Sequence, residues 1–93
     1  MNETEIKQFV SSNLPKWSVK QGKLLREIRT KNWTESMSIA NMISYLSEQS
    51  NHHPDLSIKY SNVIIELFTH SSNSITEKDL FLAQKIDEIL IIN

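Results

Sequence analysis

The chain lacks cysteine altogether and has a single glycine, Gly22, and two prolines, Pro15 and Pro54, in 93 residues. Without cysteine there is no disulfide, no thiol nucleophile and no thiolate metal site. With one glycine there is no glycine-rich loop to cradle a phosphate, and no Gly-x-Ser-x-Gly elbow to present a serine nucleophile. No apolar run approaches the ~20 residues of a membrane span; the longest is Ile89-Leu90-Ile91-Ile92. Charge of one sign is missing too. The formal net charge is −1, with acidic and basic residues interspersed, which argues against a nucleic-acid groove lined by clustered Lys and Arg. The first residues, Met1-Asn2-Glu3-Thr4-Glu5, are polar and acidic, unlike a secretory signal or transit peptide. These absences predict one domain spanning residues 1–93, without a membrane span or a nucleic-acid partner and at home in the cytoplasm. A chain of this length buries only ~60–65% of the surface that its unfolded form exposes, so oligomerisation would help it.

What remains for chemistry near neutral pH is histidine, whose ordinary pKa of roughly 6.5 lets it give and take protons there. All three histidines fall into one pattern: Glu48-x-x-x-His52-His53-Pro54, then Tyr60, His70 and Asp79.

Periodicity places that pattern on a succession of elements. Ile6, Phe9 and Val10 at helical spacing predict a helix over Glu3 to Asn13, stopped by Pro15. Trp17 to Lys20 alternates as a strand, Gln21-Gly22 is a turn signal, and Lys23 to Thr30 returns as a second strand, with Arg26 interrupting the face of Leu24 and Ile28. Ile39, Ile43 and Leu46 mark a long helix over Thr34 to Ser50, with Thr34 as N-cap and Asn51 as the left-handed residue that closes it. Its polar side carries Ser36, Ser44 and Ser47, which gives little sign of a partner groove. Trp17 and Trp33 are expected in the core. Leu56 to Tyr60 and Asn62 to His70 read as two strands, the second with Val63, Ile65 and Leu67 on one face. Tyr60 is expected to pack on the sheet. Thr76 opens the last helix, with Asp79 at capping-box spacing and Ile75 and Leu80 placed as a hydrophobic staple. The order is α-β-β-α-β-β-α, and the simplest packing is an antiparallel sheet with the helices on one face. Such a sheet leaves a face and at least one edge for a partner subunit.

The histidine pattern has competing readings. His52 and His53 follow a helix C-terminus, and Glu48, one turn earlier, is expected to hydrogen-bond His52. His70 ends a strand, and the rim of a sheet can bring strand ends and post-helix loops together. Metal binding is disfavoured. Adjacent residues of an extended segment point in opposite directions, so His52 and His53 do not easily share one ion, and no His-x-x-x-His pair is present. Read singly, Asp79 is the capping partner of Thr76, and a lone loop histidine carries no function.

Taken together, Glu48-x-x-x-His52-His53-Pro54, Tyr60, Thr69-His70 and Asp79 resemble the pattern of the pterin-4a-carbinolamine dehydratases, also called 4a-hydroxytetrahydrobiopterin dehydratases, over nearly the whole chain. Trp17 matches a tryptophan before the first strand, and Ala83 and Ile86 fit the last helix. Some positions depart from the pattern. Ile28, Thr30 and Trp33 replace phenylalanines, Asn51 replaces an aspartate, Leu56 replaces an aromatic, and Ser74-Ile75-Thr76 replaces Gly-Leu-Thr.

The resemblance implies an α+β fold, with a four-stranded antiparallel sheet and three helices packed on one face, assembled as a homodimer or homotetramer. It implies dehydration of a 4a-hydroxytetrahydropterin to the quinonoid dihydropterin in pterin recycling, with no metal and no cofactor. His52, His53, His70 and Asp79 would be the catalytic set. Glu48, Asn51, Pro54, Thr69 and Ser71 would bind or flank the reduced pterin, with Glu48 tuning His52. The alternative is a non-catalytic module that binds pterin or, as animal members of the family do for a homeodomain transcription factor, serves as a protein-interaction and dimerisation cofactor.

Overall fold

The computed structural model describes residues 1–92. Each helix starts where a side chain can satisfy the free amides of a first turn. In α1 (Glu3–Asn13), the Asn2 side chain accepts the Glu5 amide and the Glu5 carboxylate accepts the Asn2 amide, each at 2.9 Å. That reciprocal box holds the helix while Ile6 and Val10 turn inward. The strands β1 (Ser18–Lys20) and β2 (Lys23–Arg29) are joined by Gln21 and Gly22, with φ of 52° and 75°. Two consecutive left-handed residues give a hairpin turn whose twist matches that of the strands.

The long helix α2 (Trp33–Ser50) begins one residue earlier than the sequence suggests, and its cap lies two residues earlier. Asn32, not Thr34, is the cap, its side-chain oxygen accepting the Glu35 amide at 2.9 Å. Asn51 closes the helix in the left-handed region at φ 51°, ψ 41°, as expected. Trp33 is 49% exposed rather than part of the core, because it lies in the first turn, ahead of the buried stripe that starts at Ser36. The polar side of α2 also differs from expectation: Ser36 and Ser47 are buried. Ser36 bonds the Thr30 hydroxyl at 2.6 Å and donates to the Tyr60 carbonyl at 3.2 Å. Ser47 donates back to the Ile43 carbonyl at 2.7 Å. A small side chain whose hydroxyl is satisfied lets a helix sit close to a sheet without leaving an orphaned polar group.

The second hairpin is β3 (Asp55–Lys59) and β4 (Asn62–Leu67), followed by α3 (Glu77–Ile92). The sheet is antiparallel in the order β1-β2-β4-β3, so the two hairpins meet along β2 and β4. β4 stops at Leu67, short of the expected His70. The chain there closes on itself, Thr69 and Ser74 exchanging backbone bonds of 2.9 and 3.3 Å around a left-handed Asn73.

All three helices lie on one face of the sheet. Val63, Ile65 and Leu67 are wholly buried on that face and stand opposite Ile28, Arg26 and Leu24 of β2. Ile43, Leu80, Leu82, Ala83 and Ile86 close over them from the helices. Burial of each large aliphatic side chain contributes roughly 1.5–3 kcal/mol. Arg26, the charge that interrupts the inward face of β2, keeps its place by pairing with Asp87 of α3, whose carboxylate also accepts the Trp17 indole N–H at 2.8 Å. The opposite face carries half-exposed Leu25, Ile64 and Phe68 among charged neighbours. Among the described residues, no helix is long and apolar enough to cross a membrane.

Candidate active site

The end of α2, the start of β3, the end of β4 and the start of α3 converge on one rim of the sheet, and the carboxylate of Asp79 ties them together. Because β3 and β4 are antiparallel, with Asp55 opposite Glu66, the segment entering β3 and the segment leaving β4 lie at the same end. His52 and His53 are on the first of these and Thr69 and His70 on the second.

Asp79 is completely buried. Its Oδ1 lies 2.5 Å from His52 Nε2. Its Oδ2 accepts the Thr69 hydroxyl at 2.7 Å and the Thr76 amide at 2.8 Å. A buried carboxylate with three donors is satisfied, and its position in the first turn of α3 places negative charge at the positive end of the helix dipole. The capping box read from Thr76 and Asp79 is therefore present on its carboxylate side. The Thr76 hydroxyl accepts instead from the Lys78 amide, at 3.3 Å, and lies 2.7 Å from the Thr69 hydroxyl. Capping and site-building use the same carboxylate.

The two adjacent histidines diverge, as an extended segment requires. Glu48, expected on His52, pairs instead with His53 Nε2, while His52 turns inward to Asp79. The left-handed Asn51 reverses the chain after α2 and sets this division. The two pairs differ in environment. The His52 side chain is 12% exposed, whereas His53 and Glu48 are 54% and 75% exposed. The exposed pair competes with water and fixes little; the buried one fixes a ring.

His70 is exposed and sets its ring edge-on to Phe68, with centroids 5.3 Å apart and an interplanar angle of 76°. Such a contact holds the imidazole from one side while the residue stays exposed. Asn51 and Ser71 are exposed at the same rim, and Pro54 is half-buried there. Thr69 differs from its neighbours, for it is buried and its hydroxyl is already engaged by Asp79 and Thr76. Tyr60 does not join the histidines. It follows the far end of β3, about five residues of strand away at ~3.3 Å each, and is 66% exposed rather than packed on the sheet. Two participants escaped the sequence reading, Phe68 beneath His70 and the Thr76 hydroxyl. The second had a signal, since a threonine placed as an N-cap brings a hydroxyl to wherever its carboxylate partner points. Among the described residues, no group of three or more His, Asp or Glu side chains is placed to hold a metal ion.

Known proteins share this arrangement of elements. A solved structure of a transcriptional coactivator/pterin dehydratase from Brucella melitensis superposes with a TM-score of 0.87 at 24% identity, covering 96% of each chain. A pterin dehydratase-like RuBisCO assembly factor of the alpha-carboxysome has the same fold more distantly, at a TM-score of 0.62 and 18% identity over 77% of this chain and 83% of that one. Two curated relatives carry the name "Putative pterin-4-alpha-carbinolamine dehydratase". The one from Sulfolobus acidocaldarius is 38% identical over 96% of this chain and 97% of its own length. That from Aquifex aeolicus is 37% identical over 97% of this chain and 90% of its own. The family model described as pterin 4 alpha carbinolamine dehydratase matches residues 1–89, and the chain belongs to that family.

Proposed function

We propose that this protein catalyses the dehydration of a 4a-hydroxytetrahydropterin. In that reaction the hydroxyl on C4a is protonated and leaves as water with the C–O bonding pair. A base takes the proton from N5, and the N–H bonding pair closes the C4a–N5 double bond of the quinonoid dihydropterin. The observation that carries the reading is the Asp79 carboxylate, which holds His52 on one oxygen and Thr69, the neighbour of His70, on the other. That arrangement supports a reading in which one histidine serves as acid and another as base on the same rim of the sheet. Each proton transfer is worth ~10²–10⁴-fold near neutral pH.

In this reading His52, His53 and His70 carry the protons and Asp79 holds His52. Asn51, Pro54 and Ser71 flank the ring, and Thr69 contributes from behind through Asp79 rather than by touching the pterin with its hydroxyl. The reaction is redox-neutral and needs neither a metal nor a cofactor. We place it in the cytoplasm, in the recycling of a reduced pterin.

We also propose a homo-oligomer joined through the edge strand β3. Its sequence Asp55-Leu56-Ser57-Ile58-Lys59 is self-complementary about Ser57. In an antiparallel pair with a second copy, Asp55 meets Lys59 and Leu56 meets Ile58, and opposite charges placed directly across strands are favourable.

The test is the rate of disappearance of a 4a-hydroxytetrahydropterin with chelator present. It compares wild type with His52→Ala and His70→Ala. Acceleration by wild type and its loss in both variants is the expected result. No acceleration by folded wild type overturns the proposal and turns the search to a protein partner or a bound, unreacting pterin.

A further inference from the structure

We propose that Thr69 and Thr76 are positioning residues, which lock His52 in the tautomer that keeps hydrogen on Nε2 and presents Nδ1 to the site. This deepens the dehydratase reading, on which the catalytic part of it rests.

The argument is a count of hydrogens. A carboxylate only accepts, so the single hydroxyl hydrogen of Thr69 is spent on Asp79 Oδ2, 2.7 Å away. The contact of 2.7 Å between the two threonine hydroxyls then has one possible direction, with Thr76 donating and Thr69 accepting. Thr76 in turn accepts from the Lys78 amide. The chain runs one way: Lys78 amide, Thr76 hydroxyl, Thr69 hydroxyl, Asp79 Oδ2. The Thr76 amide reaches the same oxygen. The two donors on Oδ2 fix the turn of the carboxylate and so hold Oδ1 against His52 Nε2; that oxygen only accepts, so Nε2 carries the hydrogen and the lone pair of the neutral ring is on Nδ1.

That nitrogen is also the accessible one. No described partner bonds His52 Nδ1, and among the described residues no buried side-chain nitrogen or oxygen is left without a partner. Nδ1 therefore opens to the surface, on the rim shared with His53 and His70. His53 has no comparable lock, because among the described residues its side chain pairs only with the exposed Glu48. His52 is thus the histidine whose orientation and tautomer are fixed before substrate arrives, the condition under which proximity is most effective.

The experiment reads ring nitrogens and turnover separately. The nitrogen-15 shifts of His52 are recorded with the imidazole neutral, in wild type, Thr69→Val, Thr69→Ser and Thr76→Val. The expected wild-type spectrum has a protonated Nε2 and an unprotonated Nδ1. In Thr69→Val the carboxylate keeps only the Thr76 amide on Oδ2 and is free to turn away from His52, so the two tautomers mix, kcat falls about 10- to 100-fold with KM nearly unchanged, and Thr69→Ser restores both. Thr76→Val gives a smaller change in the same direction. A wild-type spectrum with hydrogen on Nδ1 overturns the proposal, as does a folded Thr69→Val with an unmixed tautomer and full kcat. A locked wild-type spectrum that mixes in Thr69→Val, in a protein without dehydratase activity, supports the positioning and overturns the dehydratase reading alone.

Discussion

Replacing Asp79 by asparagine separates what its carboxylate does for the fold from what it does for His52. The side chain is wholly buried, with Thr69 and Thr76 donating to Oδ2 and His52 lying against Oδ1. Asparagine keeps one acceptor oxygen. Turned toward Thr69 and Thr76, it retains those two bonds as neutral ones. Its amide hydrogens then face His52 Nε2, and the imidazole accommodates them only by moving its own hydrogen to Nδ1. Charge-assisted bonds contribute ~1.5–3 kcal/mol and neutral ones ~0.5–1.5, so the exchange costs about 2 kcal/mol. For a domain of this size that is a fall in Tm of about 10 °C. The protein still folds, yet the nitrogen facing the site no longer carries a lone pair, and turnover falls ~10²–10⁴-fold. Alanine at the same position orphans three donors at ~1–3 kcal/mol each. A loss of about 4 kcal/mol is a large part of the ~5–15 kcal/mol that holds a small domain together. The assays are thermal unfolding followed by circular dichroism, and dehydration of the 4a-hydroxytetrahydropterin. Wild-type turnover in a folded Asp79→Asn protein refutes the role given to the carboxylate, and an unchanged Tm in Asp79→Ala refutes the three bonds.

Three further outcomes are expected. Arg26→Leu leaves Asp87 of α3 with, among the described residues, the Trp17 indole alone for a partner and destabilises the chain by about 3 kcal/mol, measured as a lower urea midpoint at constant m-value. Leu67→Ala empties a fully buried position on the central strand β4 and costs ~2–5 kcal/mol, read by the same denaturation; a loss under 1 kcal/mol contradicts the core described here. Asp55→Lys places like charges across the proposed β3–β3 edge and lowers the mass found by light scattering, and the further change Lys59→Asp restores it; an unmoved mass places the interface elsewhere.

Much of the fold was legible because its signals are local. The stripes of α1 and α3, the Gln21-Gly22 turn, the alternation of Val63, Ile65 and Leu67 and the left-handed Asn51 depend on residues within a turn or two of one another. The misreadings have local causes as well. Asn32 and Thr34 are both good caps, and which one serves depends on where the chain leaves β2. Ser36 and Ser47 look like surface residues until Thr30, the Tyr60 carbonyl and the Ile43 carbonyl take up their hydroxyls.

The sequence by itself determined which chemistry is available. With no cysteine and no glycine-rich loop, three histidines and nearby carboxylates are what the chain offers for moving protons near neutral pH, and their spacing resembles one family. Tertiary structure decided how those groups pair. Residues 27 positions apart, His52 and Asp79, become partners only when the two hairpins and α3 meet at one rim. The carboxylate that spacing explained as a helix cap then becomes the support of a histidine. Glu48 goes to His53 for the complementary reason: neighbours on an extended backbone point opposite ways, and only one of them can face the interior.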